Sequence, residues 1–363
     1  MPDIQSAQII ALYLFDVAES IDVAAVPALI GGDAAPARLA PKPARPPYVQ
    51  YQQAPITFDG ARVEMGELGG FHARFRVYDY GVVSLSLQRR FEGSWVELIA
   101  LGQGAMESEA LEHEAKQACR RLVERLGPAI KSGRDSSLFE DYVIFGLHEL
   151  DRPLTSEALV ETRAEEIALL LRGERQALSR QEKDEVLRHR ISYLATDLVV
   201  PSWNAALVYD TESGAQAAIE ILEFANSQLL EFRYYDDLLD KELTAIYAQL
   251  ESRRWYELFG RRYTEAARRV HALFIDVNEL TDKTENSLKI VGDIYDARLF
   301  ALVAARLGLE GWKASVHEKL KTLDDIYRFA VEQTGMSRGT FLELTIVLIL
   351  VFELILFFLG VMQ

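Results

Sequence analysis

Apolar positions first run together, then alternate, then settle into a three-four repeat along the chain, and each pattern implies a different element. Ile9 to Phe15 is a continuous apolar run of the length of a buried strand. A short helix follows at about Val23 to Ile30. Phe71, Ala73, Phe75 and Val77 alternate with other residues, Asp79-Tyr80-Gly81 reads as a turn, and Val83, Leu85 and Leu87 alternate again. Two alternating runs around a turn predict a β-hairpin. Ser94–Leu101 and Ser108–Leu126 read as helices, and Gly102-Gln103-Gly104 reads as the linker between them. Ser108, followed by Glu109 and Glu112, has the form of an N-cap with an acidic first turn. Tyr142–His148 is a further strand, Ser156–Arg172 an amphipathic helix, and His189–Thr196 and Ala205–Tyr209 two more strands. Strands interleaved with helices predict an α/β head domain over 1–210, of α+β class with a mixed sheet. Within it, residues 31–47 are rich in Ala and Pro and read as a long loop.

After Asp210 the strand signals stop. Leu222, Leu229, Phe232, Leu239, Leu243, Ile246 and Leu250 follow three-four spacing, with Asp236 on the same stripe. The repeat resumes through Leu273, Val277 and Leu280, and again through Val316, Leu320 and Leu323. It predicts a long antiparallel coiled-coil hairpin, a helical stalk over 211–335. Asp236 either sets the register of the seam or faces solvent where the seam frays. From 341 to 362 the chain is apolar except for Glu343, Thr345 and Glu353, the length of one transmembrane helix. Arg338, Arg328, Lys321 and Lys319 precede this segment and no charge follows it. The positive-inside rule then predicts a single-pass, tail-anchored membrane protein. Its N-terminal bulk would be cytoplasmic, or matrix-facing in an organelle, with the C-terminus on the far side. Gly339, Leu342, Ile346, Ile349, Glu353, Leu356 and Gly360 would share one helix face, the form of a transmembrane oligomer seam. The alternative is that Glu353 simply reaches water or a headgroup.

Acidic residues exceed basic ones by 16. That argues against a broad nucleic-acid surface, and leaves room for local basic patches. The opening Met-Pro-Asp-Ile-Gln has no basic n-region, so no secretory signal is expected. The single cysteine, Cys119, excludes an intramolecular disulfide and reads as a small buried hydrophobe. None of the six histidines pairs at metal-ligand spacing, no phosphate loop or nucleophile elbow occurs, and neither metal nor cofactor is expected. The most unusual polar-aromatic cluster is Ser202, Trp203 and Asn204 with Asp197 before it. It is either a ligand or partner surface or a tight turn between strands.

The run Tyr78-Asp79-Tyr80-Gly81-Val82-Val83, the long helical pair and the ending Phe341-Leu342-Glu343-Leu344 through Val351-Phe352-Glu353-Leu354 resemble the family required for meiotic nuclear division in yeast, with its bacterial and mitochondrial relatives. The resemblance implies an oligomeric, membrane-tethered protein and carries no catalytic residues with it. Together these readings predict a non-enzymatic scaffold or tether. It would be a homo-oligomer through stalk and anchor, in contact with the bilayer and with an unknown protein client. Two alternatives are an enzyme or ligand sensor with its site on the head, and an oligomeric channel using Glu353.

Overall fold

The computed structural model describes residues 3–31, 35–36, 54–134, 138–251, 272–278, 294–326, 328 and 346–349. An eight-stranded mixed sheet organises the first part of the chain. Its centre is β1 (Ile4–Asp16), which pairs antiparallel on one side with β6 (Val82–Gly93) and on the other with β8 (Phe139–Leu150). Beyond β6 lie β5 (Gly70–Val77), β4 (Ile56–Glu64) and the two-residue β3 (Ala35–Pro36). Beyond β8 lie β10 (Ala205–Tyr209) and β9 (Leu198–Pro201). The β8–β10 pair is parallel. Parallel neighbours need a long crossover, which here runs through α4 (Ser156–Arg172), α5 (Arg180–Arg188) and β9. The remaining strands, β2 (Ala18–Ile21) and β7 (Ile130–Gly133), pair as a separate ribbon.

The unbroken apolar run in β1 follows from cover on both faces. Ile9, Ala11, Tyr13 and Phe15 join the main core, with Leu85 and Leu87 of β6 and Val143 and Phe145 of β8. That face is covered by α2 (Trp95–Met106), α3 (Glu109–Leu126) and α4. Trp95, Leu98, Leu111, Ala115, Cys119, Leu122 and Ile167 fill it. Ile10, Leu12 and Leu14 of β1 point the other way and are equally buried. The opposite face is taken by the start of α6 (Glu212–Glu251), tied to the sheet by the polar contacts described below.

The expected hairpin is present as β5 and β6, and the turn between them requires its glycine. Gly81 has φ +89°, and a Cβ there would fall 1.7 Å from the Ala18 carbonyl oxygen. Two local expectations are corrected. The Gly102-Gln103-Gly104 linker is the last part of α2. Gly102 is small for packing, since a Cβ would lie 2.7 Å from the Phe145 ring. The strand expected over His189–Thr196 is absent apart from an isolated bridge of Ile191 to Val199. The Asp197 carboxylate accepts the backbone N–H of Tyr193 (2.7 Å) and Leu194 (2.9 Å), which turns the chain there.

By contact density the chain divides into two compact units, Met1–Tyr234 with Asp282–Trp312, and Tyr235–Thr281 with Lys313–Gln363. The first holds the sheet, α1 (Val26–Ile30), α2 to α5, the first part of α6 and α8 (Ile294–Arg306). In the second lie the rest of α6, α7 (272–278) and most of α9 (309–326). There Asp236 occupies a packed position. Ser315 donates to its carboxylate at 2.7 Å, and Lys319 bridges it (2.9 Å) and Asp240 (2.6 Å). Val316, Leu320 and Leu323 of α9 are buried, at the expected spacing. Of the stalk seam, Leu222, Leu229 and Phe232 are buried in the first unit and Leu239 in the second. Leu243 and Ile246 are half-buried, and the side chain of Leu250 lies outside the described residues.

The expected transmembrane helix is corrected, and with it the single-pass topology and the membrane localisation. Among the described residues no helix is long and apolar enough to cross a membrane. Of 341–362 only 346–349 are described, as one helical turn. Ile346 and Ile349 are exposed on that turn. Gly339, Leu342, Glu353, Leu356 and Gly360 lie outside the described residues.

Candidate functional site

The second face of the sheet carries the chemistry. Side chains alternate along a strand, so even-numbered residues of β5 point away from the main core. They are His72, Arg74 and Arg76. On β6 they stand opposite Gln88, Ser86 and Ser84, and on β4 opposite Arg62, Asp59 and Thr57. Further across, Gln88 and Ser86 face Ile10 and Leu12 of β1, which in turn face Ile144 and Tyr142 of β8. Gln8 lies between Arg90 and Gly146 in the next row. The sheet surface thus grades from basic on β5 to apolar on β1 and β8. The first turns of α6 overhang it with Glu212, Gln216, Ile219 and Glu223, leaving a cleft of about 660 Å³. Five arginines (62, 74, 76, 89 and 90) and His72 line the cleft, against Glu212 and Glu223.

These arginines are held with very different strength. Arg76 is buried, with Nη1 2.9 Å from Glu223 and Nη2 3.2 Å from Glu220. Burial pushes the Glu220 carboxyl above its ordinary range, and Arg76 only partly offsets it. Gln216 also donates to Glu220, at 2.8 Å. This triad fixes α6 to β5. Arg74, by contrast, is part-exposed and donates to Asp59 at 2.9 Å, with His72 3.8 Å from the same carboxylate. Arg90 with Glu212 (3.2 Å) and Arg62 with Glu64 (2.9 Å) are exposed pairs. Such pairs contribute about 0–1 kcal/mol and yield readily to a competing anion. Arg89 donates to the Leu68 carbonyl. Guanidinium groups offer planar forks of donors that match carboxylate and phosphate oxygens. The cleft therefore presents anion donors along one wall, while Ile10, Leu12 and Ile144 beside them are already buried beneath α6.

A second set of contacts holds α6 further along. Arg134 reaches both oxygens of Asp16 at 2.8 Å, lies 3.7 Å from Glu231, and stacks 4.0 Å over the Tyr234 ring. Arg233 pairs with Glu140, and the Tyr80 and Ser227 hydroxyls are 2.7 Å apart. Burial raises Asp16 to about 6 despite Arg134. It also pushes the Cys119 thiol up to about 12, so that group stays a neutral core residue.

The cluster singled out in the sequence lies elsewhere. Besides Asp197, described above, Ser202 is buried, accepts from Arg172 at 2.9 Å, and gives its carbonyl to the Tyr142 hydroxyl at 3.0 Å. The Asn204 carbonyl accepts from the Val143 backbone N–H at 3.1 Å. Trp203 is 64% exposed at the tip of the β9–β10 turn. Asp197 and Ser202 are thus engaged in closing turns, Asn204 bonds to β8 through its backbone carbonyl, and none of the four lines the cleft. Among the described residues no group of three or more His, Cys, Asp or Glu side chains is placed to hold a metal. The cleft residues did have a sequence signal. The apolar half of the 71–77 alternation marks the strand, and the other half is His72, Arg74 and Arg76, every one basic.

Fold and cleft together define a mixed-sheet α/β protein with an arginine-lined cleft under one long helix. The chain belongs to the family described as "Uncharacterized protein MJ0711, N-terminal domain", whose model matches residues 6–216. That span holds the central sheet and runs to Gln216 at the rim of the cleft. The uncharacterized protein MJ0711 of Methanocaldococcus jannaschii is 23% identical over 227 residues, 62% of this chain and 68% of that one. No solved structure matches. The match to this family replaces the resemblance to the meiotic nuclear division family, whose short Tyr78–Val83 motif belongs to a hairpin turn built around an obligate glycine.

Proposed function

We propose that the sheet unit is a binding module for a small organic anion, taken up in the cleft between β5, β6 and the start of α6. One observation carries the reading: five arginines and a histidine gather around about 660 Å³ in a chain with net charge −16. A cleft of that size suits a small-molecule ligand. Arg74, Arg90 and His72 are the groups free to exchange their exposed carboxylate partners for a ligand, while buried Arg76 keeps the wall in place. The alternative of an oligomeric scaffold draws less support, because Leu222, Leu229 and Phe232 are already buried within the chain and are not open to a second copy.

Isothermal titration with inorganic phosphate, pyrophosphate and citrate tests the proposal. At least one of the three should bind, more weakly as salt is raised. Arg74→Gln should weaken it about ten- to hundredfold, the worth of about 1.5–3 kcal/mol for a hydrogen bond to a charged group. No binding of any of the three at low salt, or binding untouched by Arg74→Gln and by Arg90→Gln, would overturn it.

A further inference from the structure

The exposed basic groups of the cleft are not spread evenly along its wall. They fall into two centres. The first is Arg74 with His72, gathered on the Asp59 carboxylate at 2.9 Å and 3.8 Å. The second is Arg62 with Arg90, on Glu64 at 2.9 Å and Glu212 at 3.2 Å. Sheet register sets the distance between them. Arg74 pairs with Asp59, and Gly70 pairs with Glu64 at the start of β5. The β5–β6 register puts His72 opposite Gln88, and two residues further on it puts Gly70 opposite Arg90. Four residues of strand, about 13 Å, therefore separate the two centres.

Gly70 is what lets the second centre form. A Cβ there would lie 2.6 Å from Arg62 Nη2 and 2.7 Å from Arg62 Nε. The Arg62 guanidinium has thus reached from β4 over the bare backbone of β5, toward the strand that carries Arg90. Both centres are open to a ligand, since the side chains of Arg74, Arg62 and Arg90 are 39%, 72% and 88% exposed. A single phosphate placed on either centre leaves the other facing water. Between them the wall carries a neutral hydrogen-bonding group, the Gln88 amide, which uses one N–H on Ser86 Oγ at 3.0 Å.

We infer that the ligand carries two anionic groups on the order of 10 Å apart, joined by a hydroxylated spacer, the chemistry of a sugar bisphosphate. The inference rests on the anion-binding reading above. One anionic group takes the place of Asp59 on Arg74 and His72. The other takes the place of Glu64 and Glu212 on Arg62 and Arg90, and the spacer hydroxyls meet Gln88.

Titration of the full chain with fructose 1,6-bisphosphate, fructose 6-phosphate and pyrophosphate at one ionic strength is the test. Pyrophosphate has as many phosphates as the bisphosphate, but they are adjacent and reach one centre only. The bisphosphate should bind about tenfold or more tighter than either of the others, because engaging the second centre is then an intramolecular step. Arg62→Gln combined with Arg90→Gln should erase that margin and leave fructose 6-phosphate affinity unchanged. Arg74→Gln should weaken all three ligands. The substituted side chains are exposed, so each variant should keep the urea midpoint of the unaltered chain. A bisphosphate no tighter than pyrophosphate, a margin that survives the double substitution, or loss of fructose 6-phosphate in the double variant overturns the two-centre inference while the anion site stands. A failure of all three to bind overturns both.

Discussion

Arg76 and Arg90 differ in burial far more than in distance to their partners, and that difference sets what each contributes. Arg76 lies in the interior between Glu220 and Glu223, while the Arg90–Glu212 pair sits in solvent at 3.2 Å. Removing one partner of a buried ion pair leaves the other charge desolvated and unopposed, which costs about 3–5 kcal/mol, whereas an exposed pair is worth about 0–1 kcal/mol. Arg76→Met should therefore lower the free energy of unfolding in urea by about 3–5 kcal/mol, and Arg90→Met by no more than about 1 kcal/mol. Adding Glu220→Gln and Glu223→Gln to Arg76→Met should restore part of the loss. Equal effects of the two single substitutions would sink the distinction. The basic half of β5 was open to reading, because alternation in a strand assigns every second residue to the other face. What alternation does not say is which distant helix covers that face, and the partners of Arg76 stand about 145 positions away on α6.

At the level of elements, patterns that local forces decide were legible and those that long-range contacts decide were not. The cap of α3, expected at Ser108, illustrates the first kind, and the helix expected from Ser94 opens in the same way. Ser94 accepts from the Glu97 backbone N–H while the Glu97 carboxylate accepts from the Ser94 backbone N–H, a closed capping box, and Ser108 accepts from the Leu111 N–H. Ser94→Ala should cost about 1 kcal/mol of stability, read as a lower urea midpoint with an unchanged slope. A midpoint equal to that of the unaltered chain would mean that packing of Trp95 and Leu98 alone sets the start of α2. The second kind is illustrated by β4 and by the end of α2. In β4 the alternation breaks between Asp59 and Arg62, where the register shifts and a Cβ on Gly60 would lie 2.8 Å from the Phe75 ring. Two glycines in α2 suggested a linker, yet the close approach of Phe145 makes Gly102 part of the helix. The three-four repeat after Asp210 did mark helix, but it did not tell a stripe that meets another helix from one that lies on a sheet. Leu222 and Phe232 belong to the same unit as the sheet.

Across the whole molecule, net charge and buried acids act in the same direction on stability. With 16 more acidic than basic residues, the folded chain repels itself at neutral pH. Several of the acids are buried where α6 meets the sheet. Burial raises Asp16 from 3.8 to about 6, and it moves Glu140 and Glu220 upward as well, with Arg134, Arg233 and Arg76 offsetting only part of the cost. A carboxyl whose pKa is higher folded than unfolded binds more protons in the folded state between the two values. Its contribution to stability therefore falls as pH rises from about 4 to about 6, and the penalty is complete above about 6. Two acids with lowered values, exposed Glu97 beside Ser94 and half-buried Glu165 beside Lys183, act only below the ordinary carboxylate range, so they do not reverse the sign in this window. For Asp16 alone the shift corresponds to up to about 3 kcal/mol. Urea unfolding should accordingly show greater stability at pH 4.5 than at pH 6.5. In Asp16→Asn the difference should shrink, because the residue no longer titrates while Arg134 retains Glu231 at 3.7 Å and the Tyr234 ring. Stability that instead climbs steadily with pH over this interval would mean that Arg134, Arg233 and Arg76 outweigh burial, and that α6 is held to the sheet by net attraction between charges.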